Sequence, residues 1–441
     1  MSLTFNDRDE YKRKVIAERL AKLIDSSTDI SPTVIDGNWG TGKTEFSLKL
    51  LDYITTSYPE KKVIYIDAFK EDHCEDPLLS VTAAIASALP PSKQKDLIQK
   101  AIPALKFTGS TALKALAGWL LKQEAGKLAD DFQQALKDTS NAAIDGAMEN
   151  LVQEHIDAES NVNALKDKIR EFSSENQIII IVDELDRCRP TFSIDMLEKI
   201  KHIFDIKNVF FILVTNLNQL KASVNHIYGH SVNSQSYLDK FIKYTLTLPE
   251  TFKPDGYTIT HTSEAHWKGL AAKAPEQTAS CHLMKEQIGE LLKVRPLSLR
   301  ETETLFRYYS IFQTLSEIRI NEERLYSWNL TALSAIYLYC FAEKSAVTNF
   351  PSKDSLISLI DSLNIKNINL NVEDSYIIPH YFYVIYGMCK ENSISTGEYF
   401  NLHEDSIKKI DEIFEGLNGR GFSRFNFTKT MKATFDTFSL M

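Results

Sequence analysis

Two stretches of the chain are apolar without alternation, and both are short. Residues 177–182 read Gln-Ile-Ile-Ile-Ile-Val, and residues 208–216 read Asn-Val-Phe-Phe-Ile-Leu-Val-Thr-Asn. Runs of this length and β-branched density predict strands covered on both faces, the pattern of a parallel sheet between helices. Thr33-Val34-Ile35 and Lys62–Phe69 predict two more strands. Helical spacing fills the intervals. Val15, Ile16, Leu20, Leu23 and Ile24 mark one face of residues 9–24, a helix should open near Glu45, and Leu78–Leu89 predicts another that closes at Pro90-Pro91. From about 92 to 174 the chain is rich in Ala, Leu, Lys, Glu and Gln, which predicts a long helical insertion. After Pro249 the strand signals fade. Residues 250–264 look like a polar connection, and from His266 the pattern is helical, interrupted at Pro296, Pro351 and Pro379.

Chemistry enters between the first predicted strand and the helix after it. Gly37-Asn38-Trp39-Gly40-Thr41-Gly42-Lys43-Thr44 has the spacing G-x-x-x-x-G-K-T. Glycines let the backbone curl so that successive N–H groups face phosphate oxygens, and the helix N-terminus behind them favours an anion. Lys43 brings a charge to the β- and γ-phosphates, and the Thr44 hydroxyl can ligate Mg²⁺. The candidate nucleotide-binding residues are therefore 37–44 together with Glu45. A strand before and a helix after are the context the motif requires.

The second constellation follows the strand that ends at Val182. Asp183 stands at its carboxyl end, where open α/β sheets bind ligands, and is placed to hold Mg²⁺, which takes one or two carboxylates and keeps several waters. Glu184 is the residue to orient or deprotonate an attacking water. Asn216 ends the next strand. Its amide could polarise that water or touch the γ-phosphate, or it could simply form the turn. The fold class expected is thus α/β, a parallel-sheet P-loop NTPase core with a helical insertion and a mainly α-helical C-terminal region; its AAA+/STAND-like type is what a family resemblance implies.

These strings resemble one family. The P-loop with tryptophan inside it, and Val182-Asp183-Glu184-Leu185-Asp186-Arg187-Cys188-Arg189-Pro190, are similar to the KAP family of P-loop NTPases, whose Walker B signature has the second form. Tyr237-Leu238-Asp239-Lys240-Phe241-Ile242 with Leu248-Pro249 resembles a later motif of that family, and Arg295–Arg300 its arginine-bearing lid segment. The likeness covers roughly residues 5 to 305. It implies an ATPase with ATP and Mg²⁺ as cofactors, Lys43 on phosphate, Thr44 and Asp183 on Mg²⁺, and Glu184 as the catalytic acid residue. Arg187 and Asp186 would help build the site, within the chain or across a subunit boundary, or pair with each other as scaffold. Sensing of the γ-phosphate charge would fall to Lys240 or Arg295. Asn216 departs from the aspartate that the family has after this strand.

Composition narrows the setting. The chain has 441 residues, 43% hydrophobic and 25% charged, and a net charge of −9, which argues against a chain-wide basic footprint for nucleic acid. The five cysteines, Cys74, Cys188, Cys281, Cys340 and Cys389, are scattered without C-x-x-C spacing, so a reducing cytoplasmic setting is expected. No basic and apolar leader follows Met1. Many KAP members carry membrane helices between the P-loop and Walker B, but the most apolar stretch here, Ala112–Leu121, is interrupted by lysine and shorter than the roughly 20 residues a span needs. A soluble, bacterial-type member without a membrane span is expected. The expected division is 1–250 for the NTPase domain with its insertion, 251–310 for a lid-like segment, and 311–441 for a C-terminal helical domain. The resemblance implies a homo-oligomer that works with an effector protein in defence against phage. A nucleotide-gated scaffold with slow turnover and a nucleic-acid-remodelling ATPase are the alternatives. The last draws on the basic–aromatic tail 418–441, which more simply docks on its own domain, as the aromatic cluster Tyr376–Tyr386 more simply packs a core.

Overall fold

A computed structural model of the chain describes residues 3–26, 28–73, 77–90, 93–94, 97, 163–204, 206–274, 288–289, 291–292, 295–321, 326–362, 380–395, 404–417 and 425–439. Most of the predicted insertion lies outside the described residues, as do Ala112–Leu121, Cys74, Cys281, Tyr376, Arg420, Phe422 and Arg424. The chain divides into two compact units, Met1–Pro249 and Glu250–Met441.

The first unit is built on a five-stranded sheet. Its strands are β1 (Thr33–Asp36), β2 (Lys62–Asp67), β3 (Ile178–Asp183), β4 (Val209–Thr215) and β5 (Tyr244–Thr247), in the order β2-β3-β4-β1-β5 and all parallel. The two apolar runs are the central strands β3 and β4, buried at every position. Because successive side chains point to opposite faces, one run feeds two cores. Ile180, Val182, Phe211 and Leu213 join Val34, Ile64 and Ile66 on one side, with Leu197, Ile200 and Leu220. Ile179, Ile181, Phe210, Ile212 and Val214 join Ile35 on the other, with Leu20, Phe46 and Leu50. β2 reads as an edge strand, with only Ile64 and Ile66 buried. β5 forms the other edge and had no clear sequence signal. It is four residues long and mostly exposed.

The helices of this unit are α1 (Lys14–Asp25), α2 (Lys43–Ser57), α3 (Ala68–Glu71), α4 (Pro77–Ser87), α5 (Pro190–Phe204), α6 (Leu217–Tyr228) and α7 (Ser234–Leu238), with residues 163–175 also helical. The register sets the strand ends nearly level. Asp67 pairs with Asp183, Asp183 with Val214, and Asp36 with Thr215. The carboxyl ends of β1, β2, β3 and β4 thus present one row of polar residues along a single sheet edge.

The second unit is mainly helical. The stretch read as a polar connection contains a two-stranded antiparallel pair, β6 (Thr251–Phe252) and β7 (Thr260–His261). Asp255 organises its turn by accepting hydrogen bonds from the Tyr257 and Thr258 N–H groups, a short-range device that leaves no hydrophobic pattern to read. The longer helices are α8 (Thr262–Lys273), α9 (Leu299–Leu315), α10 (Tyr326–Phe341), α11 (Lys344–Thr348), α12 (Lys353–Ser362), α13 (His380–Glu391), α14 (Glu404–Leu417) and α15 (Phe427–Phe438). A capping box, Ser298 with Glu301, opens α9. The C-terminal aromatics are core: Tyr381, Phe382, Tyr383 and Tyr386 are buried with Phe427, Met431 and Phe435. Among the described residues no helix is long and apolar enough to cross a membrane.

Two glycines in this unit give opposite expectations. A Cβ on Gly387 would stand 2.4–2.8 Å from three ring atoms of the buried Phe427. Gly387→Ala should therefore cost about 1–3 kcal/mol through overpacking. Gly269 sits in α8 with open space around it, so Gly269→Ala should gain roughly 0.5–1 kcal/mol. Denaturant unfolding of the two variants checks both signs.

Candidate functional site

The loop between β1 and α2 has the backbone its sequence calls for. Gly40 and Gly42 have φ of 76° and 83°, values that side chains resist. A Cβ on Gly37 would come within 2.8 Å of the Thr41 hydroxyl, so a side chain there would have to displace Thr41. No side chain caps α2 at Gly42, which leaves its first N–H groups as a ready anion site. Lys43 Nζ donates to the carbonyls of Gly37 at 2.6 Å and Asn38 at 3.1 Å. Burial lowers the pKa of its ammonium, opposed by the charges of Asp186, Asp183, Asp36 and Glu184.

The second strand end meets this loop across the sheet edge. Asp183 is 1% exposed. It accepts from the Tyr65 hydroxyl at 2.8 Å, the Ser47 hydroxyl at 3.2 Å and the Glu184 N–H at 2.7 Å. Burial raises its pKa above the ordinary carboxylate range, and these donors, with Thr44, pull the other way without overcoming it. Thr44 Oγ1 donates to Glu184 Oε1 at 3.0 Å. Glu184 stands at φ 62° and ψ 25° before a 3-10 turn over Leu185–Arg187. Burial raises its pKa as well, which suits a carboxylate that must take a proton.

The neighbours of that turn sort the remaining candidates. Arg187, for which a scaffold pairing with Asp186 was open, forms its ion pair with Glu184 instead. Asp186 is taken by the phosphate loop, because Trp39 Nε1 donates to its Oδ2 at 2.6 Å. Asn216 caps α6, its side-chain oxygen accepting from the Asn218 N–H at 3.0 Å. A role toward phosphate would fall to its NH₂. Asp36 accepts from the Leu217 N–H at 2.9 Å, so β1 and the start of α6 are tied together beside the loop. The Glu45 carboxylate is held by Arg8 and Lys49, each at 2.7 Å. Lys240 lies over the Tyr237 ring, and Tyr237 donates to Glu198 at 2.6 Å. Arg295 belongs to the second unit, where it donates to the Ser362 carbonyl and lies over Phe341.

The model of the KAP family P-loop domain matches residues 13–324. The chain belongs to this family. In this KAP member residues 37–44 and 183–187 meet at one sheet edge. No curated protein matches the chain. Among the solved structures that resemble it distantly are the following three. The ORC1 protein of Aeropyrum pernix in complex with DNA is 14% identical over 88% of this chain and 87% of that one, with a TM-score of 0.35. A DNA replication initiation factor is 13% identical over 96% and 94%, with a TM-score of 0.32. The ORC2 protein of Aeropyrum pernix, in ADPNP–ADP complexes, is 12% identical over 96% and 93%, with a TM-score of 0.30.

Two residues of this KAP site gave no signal as sequence. Arg13, 5% exposed, donates to the carbonyl of Thr41 at 2.9 Å and to that of Pro249 at 3.1 Å. It pins the phosphate loop to the end of the unit. Tyr65 comes from β2, in register with Ile181. Only the alternation of an edge strand, with a tyrosine near its carboxyl end, could have pointed to it.

The raised pKa of Asp183 has a stability consequence. A carboxyl whose folded pKa lies above its unfolded value binds protons more readily when folded, so stability falls as pH rises through that interval. Asp183→Asn removes this cost, and the Tyr65 and Ser47 hydroxyls can turn to accept from an amide. The nucleotide-free variant should melt higher at pH 7 by about 1 kcal/mol, or about 2–4 °C. The gain should shrink as pH approaches about 4, where the unfolded carboxyl also protonates. Melting curves at several pH values measure this.

Proposed function

We propose that this chain binds and hydrolyses Mg·ATP. The observation that carries the reading is the meeting of two distant motifs: Thr44 reaches Glu184 at 3.0 Å, and Ser47 reaches Asp183 at 3.2 Å. Residues 37–44 would cradle the phosphates, with Lys43 exchanging its two loop carbonyls for phosphate oxygens. Thr44 and Asp183 would hold Mg²⁺, a pairing that suits a hard cation with oxygen ligands. The cation, when bound, would offset charge on the phosphates. Glu184, its basicity raised by burial, would orient the attacking water and take its proton, and Asn216 Nδ2 would assist on the phosphate side. Arg187 would hold Glu184 or, in an oligomer, serve a neighbouring site.

A second reading has a specific observation behind it. The Glu184 carboxylate is engaged by both Thr44 and Arg187. Both contacts favour the ionised carboxylate and make it a weaker base, which favours a nucleotide-gated scaffold that turns over slowly. At the level of biology we propose a regulatory or motor-like component of bacterial anti-phage defence, acting as a homo-oligomer with an effector protein. The support is the family resemblance alone. Residues 251–310 would serve as its lid segment and 311–441 as its partner-facing domain.

Lys43→Ala should abolish measurable Mg·ATP binding. Glu184→Gln should keep binding and lower kcat by about 10²–10⁴-fold, trapping ATP on the protein. Equilibrium binding and phosphate release read the two effects separately. Wild-type affinity in Lys43→Ala would sink the nucleotide claim, and an unchanged, very slow rate in Glu184→Gln would select the scaffold.

A further inference from the structure

The turn that carries Glu184 needs holding. Glu184 adopts left-handed backbone angles, which cost energy for any residue with a side chain and persist only where neighbours over-determine them. Several of its restraints are local: the Glu184 N–H to Asp183 Oδ1 at 2.7 Å, the Arg187 N–H to the Glu184 carbonyl at 3.1 Å, and the Arg187 ion pair. These shape the turn but do not place it against the phosphate loop. Among the described residues, two side-chain hydrogen bonds do that. One is Thr44 to Glu184, and the other is Trp39 to Asp186.

The two differ in what nucleotide would do to them. Thr44 has a competing task in the ATPase reading, since its hydroxyl is the one a bound cation would draw on. The Trp39 indole has none. It is 49% exposed, so burial does not explain a tryptophan here, and its N–H is spent on Asp186 Oδ2 at 2.6 Å. That is a short bond from a neutral donor to a carboxylate, the stronger class of hydrogen bond. Asp186 sits two residues beyond Glu184, within the same turn. A tie at Asp186 therefore fixes where the Glu184 side chain starts from.

We infer that Trp39 is a positioning residue whose hydrogen bond to Asp186 latches the Glu184 turn to the phosphate loop. The inference rests on the ATPase reading for the task it assigns to Glu184, but the latch itself belongs to the nucleotide-free fold. Asp186 has a second neighbour to be kept apart from this. Its charge also acts on Lys43, so removing Asp186 alone would mix the two effects.

Four variants separate them. Trp39→Phe keeps a ring and loses the N–H. Asp186→Ala loses the acceptor, Asp186→Asn keeps an acceptor oxygen but loses the charge, and the fourth combines Trp39→Phe with Asp186→Ala. Trp39→Phe should lower kcat about tenfold with the Kd for Mg·ATP changed by less than about threefold, and Asp186→Ala should lower kcat at least as far while also shifting Kd through Lys43. The double variant should be no slower than the worse single one, and Asp186→Asn, which keeps a weaker neutral acceptor, should fall between the unmodified chain and Asp186→Ala. The same cycle on the melting temperature of the nucleotide-free chain should be non-additive. Wild-type kcat in Trp39→Phe would overturn the inference. So would Asp186→Asn as slow as Asp186→Ala beside a mild Trp39→Phe, which would assign Asp186 to Lys43. Absence of turnover in the unmodified chain sinks the ATPase reading, whereas an additive melting cycle sinks the latch, so the two failures are told apart.

Discussion

A carboxylate at the end of a strand made otherwise of hydrocarbon sets the terms for this unit. Asp183 follows five buried residues of β3 and is itself almost fully buried. A charge in that place is costly unless donors surround it. The donors come from different elements: Ser47 from α2, Tyr65 from β2, and the backbone of Glu184 from the chain just beyond. Satisfying one side chain thus fixes α2 and the neighbouring strand β2 with respect to β3. Burial also pushes up the pKa of the Tyr65 hydroxyl, so it stays protonated and donating. The sheet supplies the rigidity, but the polar row at its edge decides which helix and which strand converge there.

The central strands were legible because they are buried on both faces. A strand with no polar side, such as Ile178–Val182, has few alternatives at that length. The P-loop was legible because glycine spacing is a backbone requirement, and Gly40 and Gly42 at positive φ meet it. What stayed hidden depended on long-range partners. β5 carries an ordinary Tyr-Thr-Leu-Thr sequence and becomes a strand because β1 offers it a parallel edge. Arg13 belongs to no motif, yet it is buried against two carbonyls, one of them 236 residues away. Arg187 and Asp186 are adjacent in the signature, which suggested a mutual pair, but a 3-10 turn sends neighbouring side chains apart, one to Glu184 and one to Trp39. Adjacency in sequence is a poor guide to contact wherever the backbone is turning.

The site as a whole is a concentration of negative charge around one buried ammonium. Asp36, Asp183, Glu184 and Asp186 all act on Lys43, and all favour its charged form against burial. The acids are not paired with one cation each. Asp183 is surrounded by neutral donors, Asp36 and Asn216 hold the start of α6, and Glu184 is shared between Thr44 and Arg187. The acids favour added positive charge, while Lys43 and the open end of α2 favour an anion. In the proposed ATPase reading, a magnesium–nucleotide would supply both at once. On that reading the burial of Asp183, unhelpful to stability on its own, would act as preparation: the folded chain would carry the desolvation cost of the carboxylate in advance, and a ligand that relieved it would gain the difference in affinity.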